Sequence, residues 1–124
     1  PVSTATKAEM EAASSTTIYV TPGRAHYHPG VGKAWLKKLA VGTLVAGSYN
    51  TASITDTGTG DWTFVWDVDF SSAAYIVNTT NSGGNTHNHM LHNAYAVGSV
   101  RLVITDVNSH FTDYDSDTVA HGDQ

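Results

Sequence analysis

The stretch Asp61–Phe70, "DWTFVWDVDF", decides the fold class, because its apolar and polar residues alternate over nine positions. A period of two is typical of an extended strand, in which successive side chains point to opposite faces. One face carries Trp62, Phe64, Trp66, Val68 and Phe70, of which Trp62, Phe64, Trp66 and Phe70 form an aromatic stripe. We interpret this aromatic stripe as core rather than as an exposed sugar-binding platform.

Further strands are predicted on both sides of this stretch. The glycine-rich segment Asp56–Asp61 predicts a hairpin turn that follows a β-prone segment. The remaining strand-like segments are Lys33–Val45, which also has features of a helix, and Ala74–Asn78, His92–Thr105 and Asp117–Gly122. Six or seven short strands separated by turn signals indicate an all-β fold, an antiparallel, jelly-roll-like β-sandwich, with a small barrel as the alternative.

The first 31 residues have a different, helical pattern. Thr6 is predicted to cap a short helix that extends to Ala13, with Glu9 completing a capping box. A second helix is predicted to start at Thr21, which would be the cap residue, with a proline at the first helical position. The segment His28–Gly32 then ends the helical pattern. We therefore expect a helical lead-in, residues 1–31, and a β-domain, residues 32–124. The helix is too short to be stable alone in water, so the lead-in needs a partner.

Charge and composition narrow the classes of function. The net charge is −5, and the chain from Leu39 onward contains one cation, Arg101, and nine aspartates. Nucleic-acid binding by clustered cations is not expected from such a chain. The absence of cysteine excludes disulfides and thiol catalysis. No apolar run approaches the roughly 20 residues that span a bilayer, so membrane insertion is not expected. Because the chain starts with proline rather than methionine, we expect it to be a piece of a longer protein.

Two blocks of the sequence resemble bacteriophage tail-fibre proteins. The block Ala5–Trp35, "ATKAEMEAASSTTIYVTPGRAHYHPGVGKAW", resembles a recurring segment of fibre shafts. The block Ser48–Trp66, "SYNTASITDTGTGDWTFVW", is similar to the opening of a C-terminal β-domain in phage tail and tail-fibre proteins. The segments "GSVRLVITDVNS" (Gly98–Ser109) and "VAHG" (Val119–Gly122) sit where that family has similar segments, whereas Asn81–Tyr95 departs from the pattern.

The resemblance implies a homotrimeric distal domain of a tail fibre in the virion. Its partners would be the rest of the fibre and a glycan or protein on the host cell, and its function would be host attachment and receptor binding. The resemblance brings no catalytic residues with it, so we do not expect an enzyme. Function that varies among relatives is usually carried by loops on a fixed scaffold.

The segment Thr86–His92, "THNHMLH", holds three of the seven histidines. In a strand His87 and His89 share a face, and three chains around a threefold axis would offer six imidazoles. Such an octahedral site suits Fe²⁺ or another divalent transition metal. The resemblance supports the hypothesis of a metal site, because some phage fibres carry this motif. Alternatively, the rings are polar loop residues without metal. In that case they would form, with Asn85, Asn88 and Asn93, a hydrogen-bonding tip for receptor sugars, which is the interpretation we favour.

Other sites and functions are weaker on the sequence. His26 and His28 have the same spacing as the first histidine pair, but a proline follows them. Asp113, Asp115 and Asp117 resemble the start of a calcium loop that lacks its glycine and its final glutamate. The alternatives to receptor binding are a glycan-degrading domain, a metal-dependent hydrolase and a purely structural trimerisation tip with an HxH metal site.

Overall fold

The computed structural model describes residues 3–28, 30–82 and 89–124. In these ranges the chain forms two short helices and seven strands. They are α1 (Lys7–Ala12), α2 (Pro22–Ala25), β1 (Ala34–Lys38), β2 (Ser53–Gly58), β3 (Asp61–Val65), β4 (Ile76–Asn81), β5 (His89–Ala96), β6 (Ser99–Thr105) and β7 (Ser116–His121). No helix in the described part of the chain is both long enough and apolar enough to cross a membrane.

The seven strands form two antiparallel sheets. The smaller sheet has the order β1-β7-β4 and the larger sheet has the order β2-β3-β6-β5. Their inner faces together contribute one apolar core, made of Ala34, Leu36, Trp62, Phe64, Trp66, Phe70, Tyr75, Val77, Val100, Leu102, Ile104 and Ala120. This arrangement confirms the predicted all-β sandwich, and the two separate sheets favour it over a small barrel.

The aromatic stripe that predicted the fold is buried, whereas Val68 on the same predicted face is not. Trp62, Phe64, Trp66 and Phe70 are at most 3% exposed, but Val68 is 58% exposed. The predicted aromatic core is therefore confirmed, and Val68 shares the alternating pattern but not the burial. Strand β3 ends at Val65, and beyond it the side chain of Asn50 accepts a hydrogen bond from the Val68 N–H at 2.6 Å. Asn50 also donates to the Val68 carbonyl at 3.1 Å, so the bound backbone leaves the strand geometry that the alternation assumed.

A cluster of aromatic rings closes one end of the sandwich. Trp66 and Phe70 meet edge to face, and Phe70 stacks on Tyr75 with ring centroids 4.1 Å apart. The Trp66 indole N–H donates to the Tyr75 hydroxyl at 3.2 Å, and that hydroxyl donates to the Ser99 carbonyl at 2.6 Å. The polar ends of these buried rings are thus hydrogen-bonded, as burial requires.

A chain of polar side chains joins the two sheets. His92 on β5 shares a hydrogen bond with the hydroxyl of Thr79 on β4, at 2.8 Å between His92 Nε2 and Thr79 Oγ1. The Thr79 hydroxyl in turn lies 2.8 Å from that of Thr118 on β7. Burial lowers the pKa of His92 below its ordinary value, because an imidazolium would be poorly solvated there.

The lead-in has the predicted first helix but not every predicted contact. Thr6 Oγ1 accepts from the Glu9 N–H, and the Glu9 carboxylate accepts from the Thr6 N–H at 2.8 Å, which confirms the capping box. The second helix start is confirmed, with Thr21 at the cap position of α2 and Pro22 as its first residue, but the Thr21 side chain makes no cap hydrogen bond. An ion pair between Lys7 and Asp123 connects the lead-in to the end of the β-domain.

Candidate functional site

Only part of the predicted histidine and asparagine site lies within the described residues. His87, Asn85 and Asn88 lie outside them. His89 begins β5 opposite Thr105, and Asn93 lies on the same strand opposite Arg101. Both side chains are exposed on the outer face of the four-stranded sheet. His92 faces the interior instead, as expected from its odd spacing to His89.

The second histidine pair is not presented by a strand. His26 ends helix α2, and burial lowers its pKa below the ordinary value, with a further contribution from the charge of Lys33. His28 accepts a hydrogen bond on Nδ1 from the Gly30 N–H at 3.0 Å. Among residues 3–28, 30–82 and 89–124, no group of three or more metal-binding side chains lies close enough to hold an ion.

The three spaced aspartates serve three separate structural contacts. Asp113 accepts a hydrogen bond from the Gly60 N–H at 2.6 Å, and Asp115 accepts from the Ala40 N–H at 2.7 Å. Asp117 lies 3.6 Å from the ammonium of Lys37. These carboxylates contact three different neighbours rather than a common ion, and only Asp117 lies within β7, so the three do not form a calcium site.

A groove lies on the outer face of the three-stranded sheet. The strand register places Trp35, Val119 and Asn78 side by side across β1, β7 and β4. The next row across the same strands is Lys37, Asp117 and Thr80. We call these two rows the Trp35 groove; its volume is about 390 Å³.

The burial of the opposite face of β1 leaves a tryptophan facing outward here. In β1 the residues Ala34, Leu36 and Lys38 are buried, so alternation leaves Trp35 and Lys37 on the outer face. Trp35 is 50% exposed. The burial of Lys38 is made possible by its contacts: its ammonium donates to the Leu39 and Tyr114 carbonyls at 3.2 and 2.9 Å. It also lies 4.2 Å from the centre of the Trp62 ring.

The groove combines an apolar surface with two neutral polar side chains and one pair of oppositely charged side chains. Trp35 and Val119 supply the apolar part, and the exposed side chains of Asn78 and Thr80 supply an amide and a hydroxyl. The ion pair of Lys37 and Asp117 carries no net charge. Small-molecule sites in proteins are typically concave and mostly apolar, with a few polar groups that orient the ligand.

Sequence analysis did not identify this groove. Its residues come from three segments that are far apart in the chain, and only the pairing of β1 and β4 with β7 brings them together. The available signal was the sequence "AWLKK" itself, in which strict alternation places a tryptophan and a lysine on one face. Comparisons of the chain with protein-family models, with curated proteins and with solved structures found no match.

Proposed function

We propose that the chain is the distal domain of a bacteriophage tail fibre and that it attaches the virion to a glycan on the host cell surface. The observation that carries this proposal is the Trp35 groove, where a half-exposed indole lies in one row with an amide and beside a row of hydroxyl and charged groups. Sugars present C–H groups on their ring faces and hydroxyls at their edges, and such a surface matches both.

The resemblance of the sequence to tail-fibre proteins supports the biological setting. The block Ala5–Trp35 supplies the lead-in and ends at the tryptophan of the groove. The block Ser48–Trp66 supplies the β2–β3 hairpin, whose turn contains Gly58 and Gly60 at positive φ. The attachment site in this proposal lies on a sheet face, whereas the sequence pointed to the segment that contains Asn85, Asn88 and Asn93.

We propose further that three copies assemble through the lead-in. Helix α1 has six residues and buries only Met10. Tyr19 and Val20, which follow it, are 67% and 50% exposed. A cavity of about 230 Å³ beside them is lined in part by Met10, Ile18 and Val20. Exposed apolar groups on such a short unit are expected to be covered by neighbouring chains.

Light scattering tests the assembly. A mass near three times 13.2 kDa supports a trimer, and a mass near 13.2 kDa contradicts it. Deleting residues 1–30 should weaken assembly while the circular dichroism signal of the strands remains.

We propose binding without catalysis, because the acidic groups have the wrong properties for glycan cleavage. Glycosidases generally use one carboxyl group with a raised pKa as the general acid. Among the described carboxyl groups, those with a shifted pKa are all lowered: Glu9, Asp61, Asp106 and Asp123. One example is Asp61, whose pKa the hydrogen-bonded guanidinium of Arg101 holds below its usual range.

Binding to cells tests the attachment function. A fluorescent conjugate of the chain is incubated with a panel of intact bacteria, before and after periodate oxidation, which cleaves the vicinal diols of sugars. We expect binding to a subset of strains, loss after periodate, and loss in Trp35→Ala. The control Phe111→Ala removes another aromatic residue that is 58% exposed but lies outside the groove, and it should bind normally. Binding that survives periodate, or that is unchanged in Trp35→Ala, contradicts the proposal.

A further inference from the structure

We propose that the Trp35 groove binds an uncharged hexopyranose and rejects acidic sugars. This inference rests on the proposed function and specifies the class of ligand for the same site. It follows from three properties of the groove, namely its size, the distribution of its polar groups and its charge.

The size of the groove fits one or two sugar rings. Adjacent strands lie about 4.8 Å apart, and residues two apart in a strand about 6.5–7 Å apart. The two rows therefore form a grid of about 10 by 7 Å, with Trp35 at one corner and Thr80 at the opposite one. The volume of about 390 Å³ lies within the range of small-molecule sites, roughly 300–1,000 Å³.

The indole of Trp35 provides the surface for the apolar face of the ring. The face of an aromatic ring carries partial negative charge, which attracts the weakly positive C–H groups of a pyranose. Val119 lies next to Trp35 in the same row and continues this apolar surface across the central strand. A ligand with one C–H-rich face and hydroxyls around its edge is therefore favoured over a wholly polar one.

The side chains that can recognise sugar hydroxyls lie on β4, on the side of the grid away from Trp35. Asn78 offers both a donor and an acceptor, and Thr80 offers a hydroxyl that can act as either. Both side chains are exposed. Within the part of the chain that the structure describes, neither side chain is engaged in a hydrogen bond with another protein group. They are therefore available to the hydroxyls at the ring edge.

The charge of the groove selects against acidic sugars. The Lys37 ammonium and the Asp117 carboxylate are 3.6 Å apart, and both side chains are nearly half exposed, at 44% and 47%. Together they offer a donor and an acceptor to neutral hydroxyls without net charge. A ligand carboxylate that approached Lys37 would be repelled by Asp117, and from Leu39 onward the chain carries only one cation against nine aspartates.

The polar corners of the groove argue against a second copy of the chain as its occupant. A stable protein interface buries roughly 800 Å² on each partner, far more than a grid of about 10 by 7 Å provides. The exposed ion pair along one row of this surface would also have to be desolvated in a protein interface.

Tryptophan fluorescence provides a direct measurement. Trp62 and Trp66 are 2% and 3% exposed, so quenching by acrylamide reports mainly on Trp35. The full chain is titrated with the methyl glycosides of glucose, galactose and mannose, and with glucuronic acid and N-acetylneuraminic acid. We expect at least one neutral glycoside to protect against quenching with a Kd of roughly millimolar order, as is usual for so small a ligand. The acidic sugars should bind at least tenfold more weakly.

Matched variants test the assigned roles. Trp35→Phe should weaken neutral-sugar binding several-fold, measured by calorimetry or by ligand-observed magnetic resonance, and Trp35→Ala should weaken it at least tenfold. Asp117→Asn removes the carboxylate and leaves the Lys37 charge uncompensated, so affinity for glucuronic acid should rise several-fold. Phe111→Ala should leave all affinities unchanged.

The failures of the two proposals are distinguishable. If acidic sugars bind the parent chain as tightly as neutral ones, or if Asp117→Asn does not change the preference, the charge argument is wrong. If no sugar protects Trp35 while cells still bind in a Trp35-dependent, periodate-sensitive way, the assignment to a hexopyranose is wrong and the attachment function stands. If Trp35→Ala changes the oligomeric mass, the surface is an interface between copies and the inference is overturned. If the cells do not bind at all, the proposed function itself fails.

Discussion

Replacing Trp66 with alanine should strongly destabilise the fold, whereas replacing Val68 with alanine should not. The sequence places both residues on the same face of an alternating stretch. The structure places Trp66 in the core at 3% exposure and Val68 on the surface at 58%. Comparing the two variants therefore tests where the tertiary structure departs from the alternating pattern of the sequence.

The magnitude follows from the burial of the indole. An aromatic side chain that buries about 150–250 Å² contributes about 4–6 kcal/mol at roughly 25 cal/mol per Å². Alanine retains part of this area, so Trp66→Ala should lower the free energy of unfolding by about 3–5 kcal/mol, in line with other buried aromatic positions. The lost hydrogen bond to the Tyr75 hydroxyl adds little, because that hydroxyl still donates to a backbone carbonyl. Val68→Ala should change the free energy by no more than about 0.5 kcal/mol.

Urea unfolding followed by circular dichroism measures both variants. All samples need the same protein concentration, because assembly makes the apparent stability depend on concentration. The melting temperature of Trp66→Ala should fall by about 10–20 °C. A loss below about 1 kcal/mol for Trp66→Ala, or a loss for Val68→Ala as large as that for Trp66→Ala, would refute the reasoning.

Three further predictions follow from local structure. Gly42→Ala should destabilise the fold by more than Gly47→Ala. Both glycines have positive φ, so both substitutions strain the backbone. A Cβ on Gly42 would also lie 2.4 Å from the Trp62 ring, whereas one on Gly47 would meet nothing within 4 Å. Equal losses in urea unfolding would contradict this. His92→Gln should reduce the loss of stability on acidification. Burial lowers the pKa of His92 in the folded state, so the unfolded state binds the proton more readily. In the parent chain, the free energy of unfolding therefore falls as the pH drops below about 6.5. A variant with the unchanged pH dependence of the parent would argue against this contribution. If the HxH site forms between chains, elemental analysis should find one transition metal per three chains, lost in His89→Ala and released at low pH; a metal-free trimer would exclude it.

Several features of the fold could be predicted because they depend on short-range patterns. The alternation of Trp62 and Phe64 with polar residues required a strand with one buried face, and this face is in the core. The capping box at Thr6 and Glu9 depends only on residues three apart, and it is present. Three residues of the predicted histidine and asparagine site, Asn85, His87 and Asn88, lie outside the described ranges.

The sequence by itself determined the fold class and the residues that share a face within β1 and β3, although it predicted β5 and β6 as one strand, His92–Thr105. It could not determine which face of β1 is covered, because alternation assigns Trp35 and Lys38 to opposite faces without saying which one packs inward. Hydrophobicity would place the tryptophan inside and the lysine outside. The tertiary structure does the reverse: the rest of β1's inner face is Ala34 and Leu36, and the Lys38 ammonium finds backbone carbonyls and an aromatic ring at the end of the sandwich. The Trp35 groove is the consequence, because a tryptophan left on the outer face meets residues of β4 only through the pairing of both strands with β7.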